Sequence, residues 1–174
     1  MTAKDKKEIE TTEQNEPKEL DLDKKVTIKN VTTWNTGFER IEGTGDIVLV
    51  PKGSVKVQRS ELLAQAQSGN KCFNGLDGMG SHAEIYIDDK PTRVELGYED
   101  DKRKQLIFSD ALVKEVFAIK NQKEFEERFR QTFVTMLEKF AVIEAVHRLG
   151  INDYSKIRFA TTYTGVSIEQ FEQQ

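Results

Sequence analysis

The sequence predicts an α+β protein: a small N-terminal β-barrel or β-sandwich followed by a helical C-terminal subdomain. Two observations carry this. Between residues 25 and 89, apolar residues mostly alternate with polar ones and the runs are broken by turn residues, the pattern of short strands. After residue 109 the spacing changes to threes and fours, the period of a helix buried on one face.

The first 24 residues are almost wholly Lys, Glu, Asp, Thr, Gln and Asn. Such a stretch cannot bury enough apolar surface to offset its ordering entropy, so a disordered tail is expected, with a plain solvated tail the favoured reading and ordering on a partner the alternative.

The β part, 25–108, begins with Val26 and Ile28 between polar neighbours. Phe38 and Ile41 flank Glu39 and Arg40. Asp46-Ile47-Val48-Leu49-Val50 is a continuous apolar run, as in a strand covered on both faces. Val50-Pro51-Lys52-Gly53 carries Pro second and Gly fourth, a type I turn signature. Ser54 to Gln58 alternates as the return strand. Ser60 is read as the N-cap of a short helix, Glu61 to Ser68, which Gly69 ends in a left-handed conformation. His82 to Asp88 alternates again, with Ala83, Ile85 and Ile87 on one face. Pro91 to Gly97 reads as a helical turn, and Gln105 to Phe108 as a last strand.

The helical part, 109–174, opens with Asp110 as a cap. Asn121 with Glu124 resembles a capping box and starts the longest expected element, reaching Leu149, with a ladder from Phe125 through Phe140 to Val146. Gly150 ends it. Asp153 caps a last helix, Tyr154 to Tyr163.

Chemistry is harder to find. The stretch Asn70 to Asp89 sets a glycine-dense loop, Asn74-Gly75-Leu76-Asp77-Gly78-Met79-Gly80, against a strand, with Cys72 and His82 at its edges. Glycine loops that hold phosphate lead into a helix whose N-terminus helps hold the anion. This loop leads into a strand, and its single Asp is too few carboxylates for calcium. Cys72 and His82 lack the third group that orients a catalytic base. His147 lies where a helix dipole favours a cation. No cluster has metal-ligand spacing. The expectation is therefore no catalytic residue, no cofactor and no metal. The candidate partner contact is Asn74, Asp77, Gly78, Met79 and His82 on the loop.

A second candidate lies near the C-terminus. Residues 157–171 read like a degenerate helix-turn-helix, with Gly165 at the turn and Val166-Ser167 opening a second helix. Arg158, Thr164, Gly165 and Ser167 are its candidate contacts. A reading helix needs donors for bases and cations for phosphates, whereas this one offers Glu169, Gln170 and Glu172. A helical cap is the favoured reading, and DNA binding the alternative.

Net charge is −4, which disfavours nucleic acid as a partner. One cysteine excludes an internal disulfide. No apolar run approaches the roughly 20 residues a membrane span needs. The first residues lack the apolar core of a signal peptide, so secretion is not expected.

The words VTIKNVTT at 26–33, VPKGSVKVQ at 50–58, SELLAQAQSGN at 60–70 and NDYSKIRFATTYTGVSIEQF at 152–171 follow an order that resembles a loosely defined group of phage-encoded accessory or virion proteins. The resemblance spans most of the chain after the tail but rests on short words, and brings no catalytic residues with it. It implies a small non-enzymatic structural protein of a capsid, connector or tail, with other virion proteins or copies of itself as partners, located in the virion or the host cytoplasm.

Overall fold

The computed structural model describes residues 19–171, so the expected tail at 1–24 lies mostly outside the described residues. The architecture is α+β, and among the described residues the strands lie in the first half and the longer helices in the second. Among the described residues the strands form a three-stranded sheet and a separate two-stranded one, with no closed barrel.

Strand β1, Lys25–Asn30, lies at the centre of the larger sheet. It pairs antiparallel with β4, Ser54–Gln58, and with β5, Ile85–Ile87. Period-two alternation turns Val26, Ile28, Val57, Ile85 and Ile87 to the interior. Strands β2, Thr36–Glu39, and β3, Asp46–Leu49, form the second sheet. Phe38, Ile47 and Leu49 join the same core as the larger sheet.

The side chain of Asn30 ties the two sheets together. Buried at the end of β1, it donates to the Trp34 carbonyl at 2.7 Å and the Val50 carbonyl at 3.0 Å. It accepts from the backbone N–H and hydroxyl of Thr32. A buried amide satisfied in this way stabilises one arrangement of the strands, because leaving it unpaired would be costly.

Several expectations are corrected here. The 46–50 run is not covered on both faces: alternation turns Ile47 and Leu49 inward and Val48 outward, where it is 65% exposed and faces only Gly37 across the strand pair. The turn after Val50 closes with the Gly53 N–H on the Val50 carbonyl at 2.9 Å, but Lys52 at φ 57 gives it a left-handed third position that a type I turn lacks. Helix α1 is Arg59–Gln67, starting before Ser60, with Gln58 as an N-cap that makes no side-chain bond. Its buried Arg59 explains the early start, since the guanidinium reaches Thr92, Asp89 and the Asp21 carbonyl. Gly69 ends the helix as expected, at φ 81, with the Asn70 N–H on the Gln65 carbonyl. Gln105 to Phe108 forms no strand, although Leu106 accepts from the His82 N–H at 2.9 Å.

Helices α2, Lys71–Asn74, and α3, Lys90–Glu95, flank β5. Asp89 caps α3 and Pro91 sits in its first turn, where a missing N–H costs nothing.

In the second half, α4 is Asp110–Phe117, capped by Ser109 rather than Asp110. The expected long helix is two helices, α5 at Gln122–Thr132 and α6 at Met136–Arg148. The break falls at a true capping box: Thr135 accepts from the Glu138 N–H, and the Glu138 carboxylate accepts from the Thr135 N–H. The phenylalanine ladder divides with it. Phe125, Phe129 and Phe133 are fully buried, while Phe140 remains partly exposed against Phe171, with ring centroids 5.1 Å apart. Helix α7, Tyr154–Thr164, capped by Asp153, closes the cluster, and Phe129 touches the rings of Phe117, Phe159 and Tyr163. Phe108, expected at the end of the β part, packs on Phe133 of this second core instead.

Candidate interaction site

The glycine loop is built from its own hydrogen bonds. Asn70 caps α2, accepting from the Cys72 N–H. Asn74 then turns inward: its amide donates to the Ala66 carbonyl at 2.8 Å, and its side-chain oxygen accepts from the Tyr98 hydroxyl. Burial, with Asp77 nearby, pushes the Tyr98 phenol well above its ordinary range, so it remains a donor.

Gly75 makes the first bend at φ 64, where an added Cβ would lie 1.8 Å from the Ser81 carbonyl oxygen. Gly80 makes the second, and an added Cβ there would meet the Tyr98 ring at 2.7 Å. Only glycine fits either position. Between them, the Leu76 N–H donates to the Ser81 carbonyl and the Gly80 N–H to the Asn74 carbonyl. The Asp77 carboxylate accepts from the N–H groups of Met79 and Ser81, at 2.8 and 3.1 Å. Most of the loop's N–H donors, those of Gly75, Leu76, Met79, Gly80 and Ser81, are thus spent on its own carbonyls, on the Lys71 carbonyl and on Asp77. What the loop offers outward is Leu76, 61% exposed, and Met79, 48% exposed, on either side of Asp77 and Gly78.

His82 leaves the loop at φ 62, uncommon for a residue with a side chain. Its ring is turned inward, contrary to a contact residue at a strand edge. Nδ1 lies 2.6 Å from Oε1 of Glu138 on α6, and the other oxygen of Glu138 accepts from the Val134 and Thr135 N–H groups. Beside this pair is a cleft of about 20 Å³, room for one water, lined by Thr32, Trp34, Glu84 and Phe108. The loop candidates therefore divide. Asp77, Gly78 and Met79 stand at the surface, whereas Asn74 and His82 anchor the loop from within.

Cys72 is half-buried. Burial first, then the negative charge of Glu84, push its thiol above the ordinary value, away from the thiolate a nucleophile needs. Nδ1 of His82 is given to Glu138, not to the cysteine. Among the described residues no group of three His, Cys, Asp or Glu side chains could hold a metal ion.

Comparison of the chain with protein-family models, with curated proteins and with solved structures finds no match.

The C-terminal candidates are also placed. Gly165, at φ 71, ends α7, and Ser167 caps a 3₁₀ turn, Ile168–Gln170. Where a second helix was expected, the described residues show this single turn. Thr164 is buried and its hydroxyl accepts from the Val166 N–H at 3.2 Å, so it shapes the turn. Arg158, Gly165 and Ser167 line an open groove, with Arg158 and Ser167 at the surface.

Sequence reading missed two contributors. Leu76 was legible as an apolar residue among loop formers. Glu138 was legible only as a cap, since its second partner is 56 residues away.

No helix of the described residues is long and apolar enough to cross a membrane.

Proposed function

We propose that this protein acts without a catalytic step, as a protein-docking module of a bacteriophage virion, and that the 74–81 loop is its docking surface. One observation carries the mode of action: a loop fixed by its own hydrogen bonds holds Leu76 and Met79 exposed at its tip. A surface already in its binding conformation loses little entropy on association, so a small apolar tip can contribute usefully. The partner is a protein with an apolar recess, either another virion component or a second copy. The setting rests on the resemblance of the 26–33, 50–58, 60–70 and 152–171 words to phage-encoded proteins.

The experiment is direct. Mass spectrometry of purified particles should find the chain at a fixed copy number relative to the major virion protein. Its absence from particles overturns the proposal.

A further inference from the structure

We infer that the outer edge of β4 receives an extended segment of a partner protein in which acidic and apolar residues alternate. This goes beyond the docking loop and uses another surface.

β4 is the last strand of its sheet, and no further strand covers it among the described residues. The hydrogen-bond phase is set at both ends. The Asn30 N–H donates to the Gly53 carbonyl and the Arg59 N–H to the Lys24 carbonyl, both at 2.9 Å. The register carries this phase through Val26 with Val57 and Ile28 with Val55. Lys56, between them, must direct its own N–H and C=O away from β1, toward the outer edge. An incoming strand finds a donor and an acceptor there.

The side chains on either face define that strand. On the inner face Val55 is 36% exposed, although its cross-strand partner Ile28 is fully buried. An apolar residue on an added strand would complete that cover. On the solvent face, alternation places Lys56 beside Lys25 and Gln58. Arg40 adds a third cation in the lining of the cleft of about 290 Å³ beside this edge. None of the three cations is in an ion pair with a described residue, whereas the neighbouring Lys24 and Lys29 are paired with Asp89 and Asp88. The cleft also contains Glu61, but its carboxylate is engaged by the N–H groups of Ile41 and Glu42, and Glu42 is the one exposed carboxylate in the lining. Opposite charges directly across a strand pair attract, and backbone bonds at an edge supply the rest of the affinity.

Lysines on edge strands also serve to repel further strands, and the experiment separates the two roles. The full chain is titrated with two peptides, Ac-VEVEVEV-NH2 and Ac-VKVKVKV-NH2, following fluorescence anisotropy of the labelled peptide and hydrogen exchange of the Lys56 amide. The acidic peptide should bind and slow exchange at Lys56, and the basic peptide should not. Lys56→Glu, an exposed change, should weaken the acidic peptide by about tenfold while Lys56→Arg retains it. No binding of the acidic peptide, equal binding of both, or an affinity indifferent to Lys56→Glu would overturn the inference and leave Lys56 as an edge guard.

Discussion

His82 and Glu138 join the two halves of the molecule. The imidazole comes from the end of the glycine loop, the carboxylate from the first turn of α6, and they meet at 2.6 Å with both side chains largely buried. The same carboxylate closes the capping box of α6, so one side chain starts a helix and anchors a loop. Glu138→Ala removes both roles and should cost about 2–3 kcal/mol, whereas Thr135→Ala removes only the cap and should cost about 1 kcal/mol. Urea unfolding with a double-mutant cycle over His82 and Glu138 checks this. A coupling near zero would mean that the pair is geometric only.

The loop bends should differ in tolerance. Gly75→Ala meets the Ser81 carbonyl at an impossible distance, so the loop must open, at an expected cost of more than about 2 kcal/mol. Gly78→Ala meets nothing and carries only the strain of φ 72, about 1 kcal/mol. Melting temperatures of the two variants give the comparison.

Acid sensitivity centres on Asp89. Burial alone would raise its pKa, but hydrogen bonds from Thr92, Lys24 and Arg59 outweigh that and hold the carboxyl well below its usual range. A depressed folded-state value stabilises the fold fully above the unfolded aspartate pKa of about 3.9, and the contribution is lost as pH falls below it. Asp89→Asn leaves Arg59, 3% exposed, without its anion and should cost about 3 kcal/mol at neutral pH. That gap between variant and wild type should narrow below about pH 4 in denaturant titrations at successive pH values.

The second core should depend most on Phe129, whose ring lies within 6.0 Å of five other aromatic rings. Phe129→Ala should cost about 3–5 kcal/mol, against about 0.5 kcal/mol or less for the exposed Met136→Ala. Thermal unfolding followed by circular dichroism measures both.

Where a local signal decided the structure, the sequence disclosed it. Asn121 and Asp153 cap helices as read, and Gly69 and Gly150 follow helix ends at positive φ. Ala83, Ile85 and Ile87 are buried together. The split between α5 and α6 was hidden because apolar residues continue at helical spacing through Phe133, although Thr135 and Glu138 spelled a capping box. The exposed face of β3 was hidden because continuous apolar runs do not say whether a second layer covers them. At the site, the glycines marked the loop, but the inward turn of Asn74 and His82 depends on Tyr98 and Glu138. Long-range partners of that kind have no local signature.

Docking of a virion protein on the tip of the glycine loop, as proposed, has a direct test. The most direct measurement is the copy number of a Leu76→Ser/Met79→Ser double variant in purified particles. Both side chains are exposed, so the variant should keep the wild-type melting temperature within about 2 °C. Docking through the loop tip predicts a folded variant and at least a tenfold loss from particles. Incorporation at the wild-type level by a folded variant would contradict it.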